Sequence, residues 1–195
     1  MTTAITLLDG GMGQELIRRS SAAKPHPLWS LQVMMDEPEL VANVHRDFCL
    51  AGARVICLNT YSVTRHRLQM GNELPDLPEL LKHAGDLARA GIQASGLHGI
   101  DVVASLPPLT ASYLKQSPLS PTQMKDEYKE LMELQRHHVD GFLAETLSSV
   151  AEGEAVLRAA QEAGTGVHLA FTVQDEDGTL LRSGELLEDA LRACV

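Results

Sequence analysis

Short apolar runs alternating with longer amphipathic stretches constrain this 195-residue chain more than any other feature. The runs Ile5 to Leu8, Arg54 to Leu58, Ile100 to Leu106, Val139 to Ala144 and Val167 to Thr172 are too short for helices and read as strands. Between them, apolar residues recur at helical spacing. Asp36, with Pro38 and Glu39 behind it, predicts a capped helix carrying Leu40, Val41, Val44, Phe48 and Ala51 on one face, with His45 toward solvent and Gly52 as the stop. Pro75 and Pro78 open a helix in which Leu80, Leu81, Ala84, Leu87, Ala88 and Gly91 form a stripe suited to close packing on a sheet. Ser120 with Gln123, and Ser149 with Glu152, are capping signatures for two more helices. The segment from Gly184 onward predicts the last. Asp175 to Gly178 reads as a solvated turn.

Strand–helix alternation of this kind implies parallel strands with helices outside. In such folds ligands bind where strands end. Three strand ends are polar here: Asp9, Asn59 and Glu145. After Asp9 come Gly10, Gly11 and Gly13, which let backbone amides approach a ligand without a Cβ in the way. A carboxylate beside exposed amides suits a small zwitterion, with the ammonium on Asp9 and the carboxylate on the amides. The plainer reading is a tight turn that needs glycine for positive φ. Trp29, in an irregular segment from Arg18 to Leu31 held out of helix by Pro25 and Pro27, either walls a pocket or plugs an apolar gap.

The bulk properties exclude several classes. Sixteen basic against 26 acidic residues leave a formal charge of −10, which argues against nucleic acid or an anionic membrane as partner. No run reaches the ~18 apolar residues of a membrane span. Cys49, Cys57 and Cys194 have no metal-ligand spacing, and so sparse a set predicts reduced thiols in a cytoplasmic protein.

The stretch from Leu8 to Leu16, together with Pro27-Leu28-Trp29-Ser30, Asn59-Thr60-Tyr61 and Glu145-Thr146, resembles the homocysteine S-methyltransferase family. The resemblance runs from about residue 5 to the C-terminus. It implies a (β/α)8 TIM barrel, of which about five βα units are present, so that residues 1–195 are expected to be one domain forming the N-terminal part of such a barrel. It further implies that Asp9 and Glu145 hold the homocysteine ammonium and the amides of Gly10 and Gly11 its carboxylate. Trp29, Asn59 and Tyr61 line the pocket, with Trp29 and Tyr61 nearer a sulfonium or ammonium methyl donor, S-methylmethionine first among them. Glu145 is the candidate catalytic residue; its plainer reading is an acid favoured at a helix N-terminus.

Zinc is the cofactor that the resemblance implies, held by three cysteines from later strands. Neither cysteine-bearing segment is found in this sequence, and none of its three cysteines maps to a ligand position, so no metal residue is assigned. The third strand leaves through Ser105-Leu106-Pro107-Pro108, where many members have Gly-Pro. With a length below the ~250 residues of a typical barrel, the chain is expected to be a truncated member that self-associates through open sheet edges. A non-catalytic amino-acid-binding or assembly module is the alternative. A flavodoxin-like phosphate binder is weaker, because Asp9 would repel phosphate.

Overall fold

The computed structural model describes residues 5–21, 28–70 and 76–194. Its centre is a four-stranded parallel sheet of β1 (Val55–Cys57), β2 (Asp101–Leu106), β3 (Gly141–Leu147) and β4 (His168–Phe171), in that spatial order. The first apolar run does not form a full strand. It runs beside β1 through a single parallel bridge between Leu8 and Val55, so the sheet has four strands and one flanking segment instead of five strands.

Neighbouring strands that follow one another in sequence, all parallel, form a singly wound arc with its helices on one side. The flavodoxin-like alternative needs the strand order to reverse, and it does not. Side-chain alternation along each strand fits this arc. Ile56, Val102, Ala104, Phe142 and Ala144 point to the helices and are buried. Cys57, Ser105, Leu143 and Glu145 point to the concave side.

The outer layer is built by α1 (Met12–Arg19), α2 (Trp29–Asp36), α3 (Pro38–Leu50), a short α4 (Arg65–Leu68), α5 (Leu77–Ser95), α6 (Pro121–Gln135), α7 (Val150–Ala163) and α8 (Leu187–Cys194). The Ser120–Gln123 capping box forms as the sequence predicts, and Met124, Tyr128, Leu131 and Gln135 are buried on one face. Ser149 caps α7, Gly164 closes it in the left-handed region, and Gly52 follows α3 at φ +110°.

Several expectations are corrected. Asp36 ends α2 instead of capping α3, whose N-cap is Glu37 with Pro38 in the first turn. Arg18 and Trp29 lie in helices, not in an irregular segment; Pro25 and Pro27 fall outside the described residues, as does Pro75. Asp76 caps α5 by accepting the amide of Glu79. Gly91 serves a helix contact instead of the sheet: a Cβ there would stand 2.4 Å from the Ala42 carbonyl oxygen on α3. His45 is fully buried in that contact instead of facing solvent. The turn at 175–178 is exposed, as the sequence predicts, with Asp175 paired to Arg182 beside an antiparallel bridge between Val173 and Leu181.

Candidate functional site

The Leu8–Val55 bridge sets Asp9 over the end of β1. Its amide donates to the Val55 carbonyl at 3.0 Å, and its Oδ2 accepts the Cys57 amide at 2.9 Å. Glu145 reaches the same place from β3. The sequence puts it after the strand, but it lies inside the strand at an irregularity in the pairing with β4, between Ala144 and Leu147. Thr146 beside it has φ +62°, uncommon for a β-branched residue. The pattern is that of a bulge: Glu145 faces the concave side by the strand's own alternation, and one extra residue after it turns Leu147 back to the helices.

The two carboxylates share one environment. Ser105 Oγ donates to Glu145 Oε1 at 2.6 Å, and the Cys57 thiol lies 3.9 Å from the same oxygen. Burial pushes the Asp9 carboxyl up to about 7; the Cys57 amide partly offsets this and the Glu145 charge adds to it. Burial raises the Cys57 thiol well above its ordinary range, and the charges of Glu145 and Asp9 push it further.

The glycine turn leads straight into α1, whose first amides have no acceptor within the helix and carry the positive end of its dipole. Among the described residues neither Gly10, Gly11 nor Gly13 has a positive φ, so the turn does not need glycine for that reason. Close approach needs it at two positions. A Cβ on Gly10 would come within 2.8 Å of the Phe48 ring, and one on Gly13 within 3.1 Å of the Trp29 ring.

Trp29, at the start of α2, thus lies against the glycine turn. Asn59 donates to the Ser30 carbonyl at 3.0 Å and ties α2 to the loop after β1. The Ser30 and Ser62 hydroxyls pair at 3.2 Å beneath it. The Tyr61 hydroxyl pairs with Ser112 Oγ at 2.6 Å, and the Arg67 guanidinium lies 5.1 Å from the ring centre.

Asp9, Gly10, Gly11, Trp29, Asn59, Tyr61 and Glu145 all line one cavity of about 420 Å³, with Cys57 and Ser30 among the other lining residues. All seven residues named from the sequence therefore meet. Ser105 and Arg67 were missed. Period-two spacing from Val103 puts Ser105 on the concave face, a usable signal; nothing in the sequence marks Arg67.

Zinc can be tested against the donors present. Among the described residues no group of three or more His, Cys, Asp or Glu is placed to hold a metal ion. Cys49 is buried in α3 and Cys194 lies on α8. Cys57, the thiol in the cavity, sits beside two carboxylates that oppose the thiolate a metal would bind. These donors do not fit a zinc site.

A singly wound parallel arc with its polar groups gathered at the strand ends defines a barrel-type α/β protein. The chain belongs to the homocysteine S-methyltransferase family, whose profile matches residues 6–195. Homocysteine S-methyltransferase 2 of Zea mays is 25% identical over 93% of this chain and 59% of its own length. Homocysteine S-methyltransferase YbgG of Bacillus subtilis is 38% identical over 63 residues, 32% of this chain and 20% of its own. The fold matches the crystal structure of the homocysteine methyltransferase MmuM from Escherichia coli in its metallated form, with a TM-score of 0.82 and 24% identity over 98% of this chain and 70% of that one. The chain thus spans about three-fifths of the maize relative's length.

Proposed function

We propose that this chain forms the amino-acid side of a homocysteine methyltransferase site. Asp9 and Glu145 take the homocysteine ammonium, and the amides at the start of α1, with those of Gly10 and Gly11, take its carboxylate. Trp29, Asn59 and Tyr61 line the pocket, with Trp29 and Tyr61 nearer a sulfonium or ammonium donor, S-methylmethionine being the donor favoured. In the reaction the homocysteine thiol gives up its proton to solvent and a carbon–sulfur bond forms from the resulting thiolate to the methyl carbon. The donor's bond to that carbon breaks, its electron pair stays on the donor, and methionine results. The observation that carries this reading is the convergence of Asp9, Glu145 and the glycine turn in one cavity.

Transfer needs a thiolate, and a free thiol of pKa ~8.5 is mostly protonated at neutral pH. The two carboxylates stabilise an ammonium but work against a thiolate beside them. That favours a second reading as well: an amino-acid-binding or assembly module that keeps the ammonium site without the chemistry. Among the described residues the concave face of the sheet is open, and self-association through it or through the sheet edges belongs to both readings.

Trp29 is the sole tryptophan of the chain and lines the cavity, so its fluorescence reports binding. Homocysteine is expected to shift it saturably, and Asp9→Ala to weaken that binding at least tenfold. Unchanged affinity in Asp9→Ala refutes the site. Bound zinc together with methyl transfer from S-methylmethionine would select the enzyme over the module.

A further inference from the structure

Carboxylates that are to hold an ammonium must keep both their charge and their aim. Among the described residues no lysine, arginine or histidine lines the cavity. An arginine fork would fix a carboxylate firmly, but it would also cancel the charge that a cationic ligand needs. The donors present are neutral. For Asp9 the main chain suffices: its amide is tied to the Val55 carbonyl, and its Oδ2 accepts the Cys57 amide at 2.9 Å. Glu145 has a longer side chain with more rotatable bonds, and among the described residues no backbone amide donates to it.

Ser105 supplies what the main chain does not. Its Oγ donates to Glu145 Oε1 at 2.6 Å, the length of a hydrogen bond from a hydroxyl to an ionised carboxylate. The Cys57 thiol reaches the same oxygen only at 3.9 Å and is a weak donor. Ser105 is itself held in place. It is 2% exposed, it lies on β2 where that strand pairs with β3, and its carbonyl accepts Thr60 Oγ1 at 3.3 Å. One oxygen of Glu145 is thus occupied by the fold. Among the described residues Oε2 accepts no hydrogen bond and is left for a ligand. A hydroxyl brings a dipole and no charge, so the aim is fixed without neutralising the group.

We propose that Ser105 is a positioning residue for the ligand ammonium: its hydroxyl pins Oε1 of Glu145 so that Oε2, together with Asp9, meets the cation. This rests on the reading of Asp9 and Glu145 as the ammonium site. Ser105 is not among the residues that line the cavity, so it acts through Glu145 and is not a catalytic residue. Without the hydroxyl, Glu145 spreads over rotamers that carry its charge away from the ligand. Ordering it again at each binding event costs roughly five- to tenfold in affinity.

The test titrates homocysteine, followed by Trp29 fluorescence and calorimetry, against the wild type, Ser105→Ala, Ser105→Thr, Glu145→Ala and the Ser105→Ala/Glu145→Ala double variant. Urea unfolding checks that each is folded. Ser105→Ala removes a single oxygen and is expected to stay folded while binding roughly five- to tenfold more weakly. Ser105→Thr keeps the hydroxyl on a strand, where β-branched residues are favoured, and should stay within about threefold of the wild type. In the Glu145→Ala background, Ser105→Ala should cost less than about twofold, because the group it acts through is gone. A purely structural role would not depend on Glu145 in this way. The proposal is overturned if Ser105→Ala binds as tightly as the wild type, or if its loss persists undiminished without Glu145. Equal losses in Ser105→Ala and Ser105→Thr overturn it too, since the hydroxyl would then not be what matters. Asp9→Ala, run beside them, separates the two claims. Weakened binding in Asp9→Ala with unchanged binding in Ser105→Ala refutes the role of Ser105 alone, whereas no saturable binding by the wild type refutes the ammonium site and this role with it.

Discussion

Asp9 is held at an energetic cost. Its carboxyl titrates near 7, against an ordinary value of 3.8, because burial and the Glu145 charge both disfavour its ionised form. Between those values the folded chain keeps a proton that the unfolded chain has lost. Stability from this group is therefore complete below pH 4 and falls as pH rises toward 7, at up to about 1.4 kcal/mol per unit. Asp9→Asn, which cannot ionise, should flatten this slope and be more stable than the wild type at pH 8 in urea unfolding. Ligand binding should run the other way. An ammonium needs the ionised carboxylate, so homocysteine affinity should rise through pH 7 and binding should release a proton. Calorimetry in buffers of different ionisation heat reads that proton directly, and proton uptake would refute the pairing.

At the scale of elements, α3 and α5 show what sequence reasoning reaches and where it stops. The apolar stripes on both were legible, as were the N-caps of α6 and α7, because spacing and cap chemistry are local. Gly91 was legible as a small residue but not as the point where α3 comes close, since that depends on which helix lies opposite. His45 was misread for the same reason: it sits among polar residues in sequence, yet α5 closes over it. Both ring nitrogens are buried without partners, and burial lowers its pKa to about 3. The unfolded chain takes a proton near pH 6.5 that the folded chain refuses until about 3, so stability is present above 6.5 and is lost as pH falls. His45→Leu should gain roughly 1 kcal/mol at pH 8 by removing an unsatisfied polar group. The gain should grow to roughly 3 kcal/mol at pH 5, with ~1.4 kcal/mol added per unit below 6.5. Equal pH slopes for variant and wild type would show that the imidazole finds a partner. The β3 bulge was illegible in a similar way. Glu145-Thr146 reads as a strand end, and only the pairing with β4 reveals an extra residue that turns Leu147 back to the helices and carries the strand past Glu145.

For the whole molecule, the decisive feature is an arc that does not close among the described residues. A hollow of about 500 Å³ opens on the concave side beneath the candidate site. Leu8, Val55, Val103 and Leu143 give it an apolar floor, with Asp101, Asp140 and His168 also on its walls. Apolar surface and unpaired strand edges favour a second copy. A net charge of −10 opposes it. The two forces respond differently to salt. The Debye length falls from ~30 Å at 0.01 M to ~8 Å at 0.15 M, which screens the repulsion and leaves apolar burial intact. Light scattering should therefore find monomer predominating at low salt and concentration, with the mean mass rising as either increases. Aspartate substitution at Val103 should hold the chain at monomer mass across the series, because it places a charge on the apolar floor without touching the cavity above. A constant monomer mass for the wild type at high salt would refute self-association through this face.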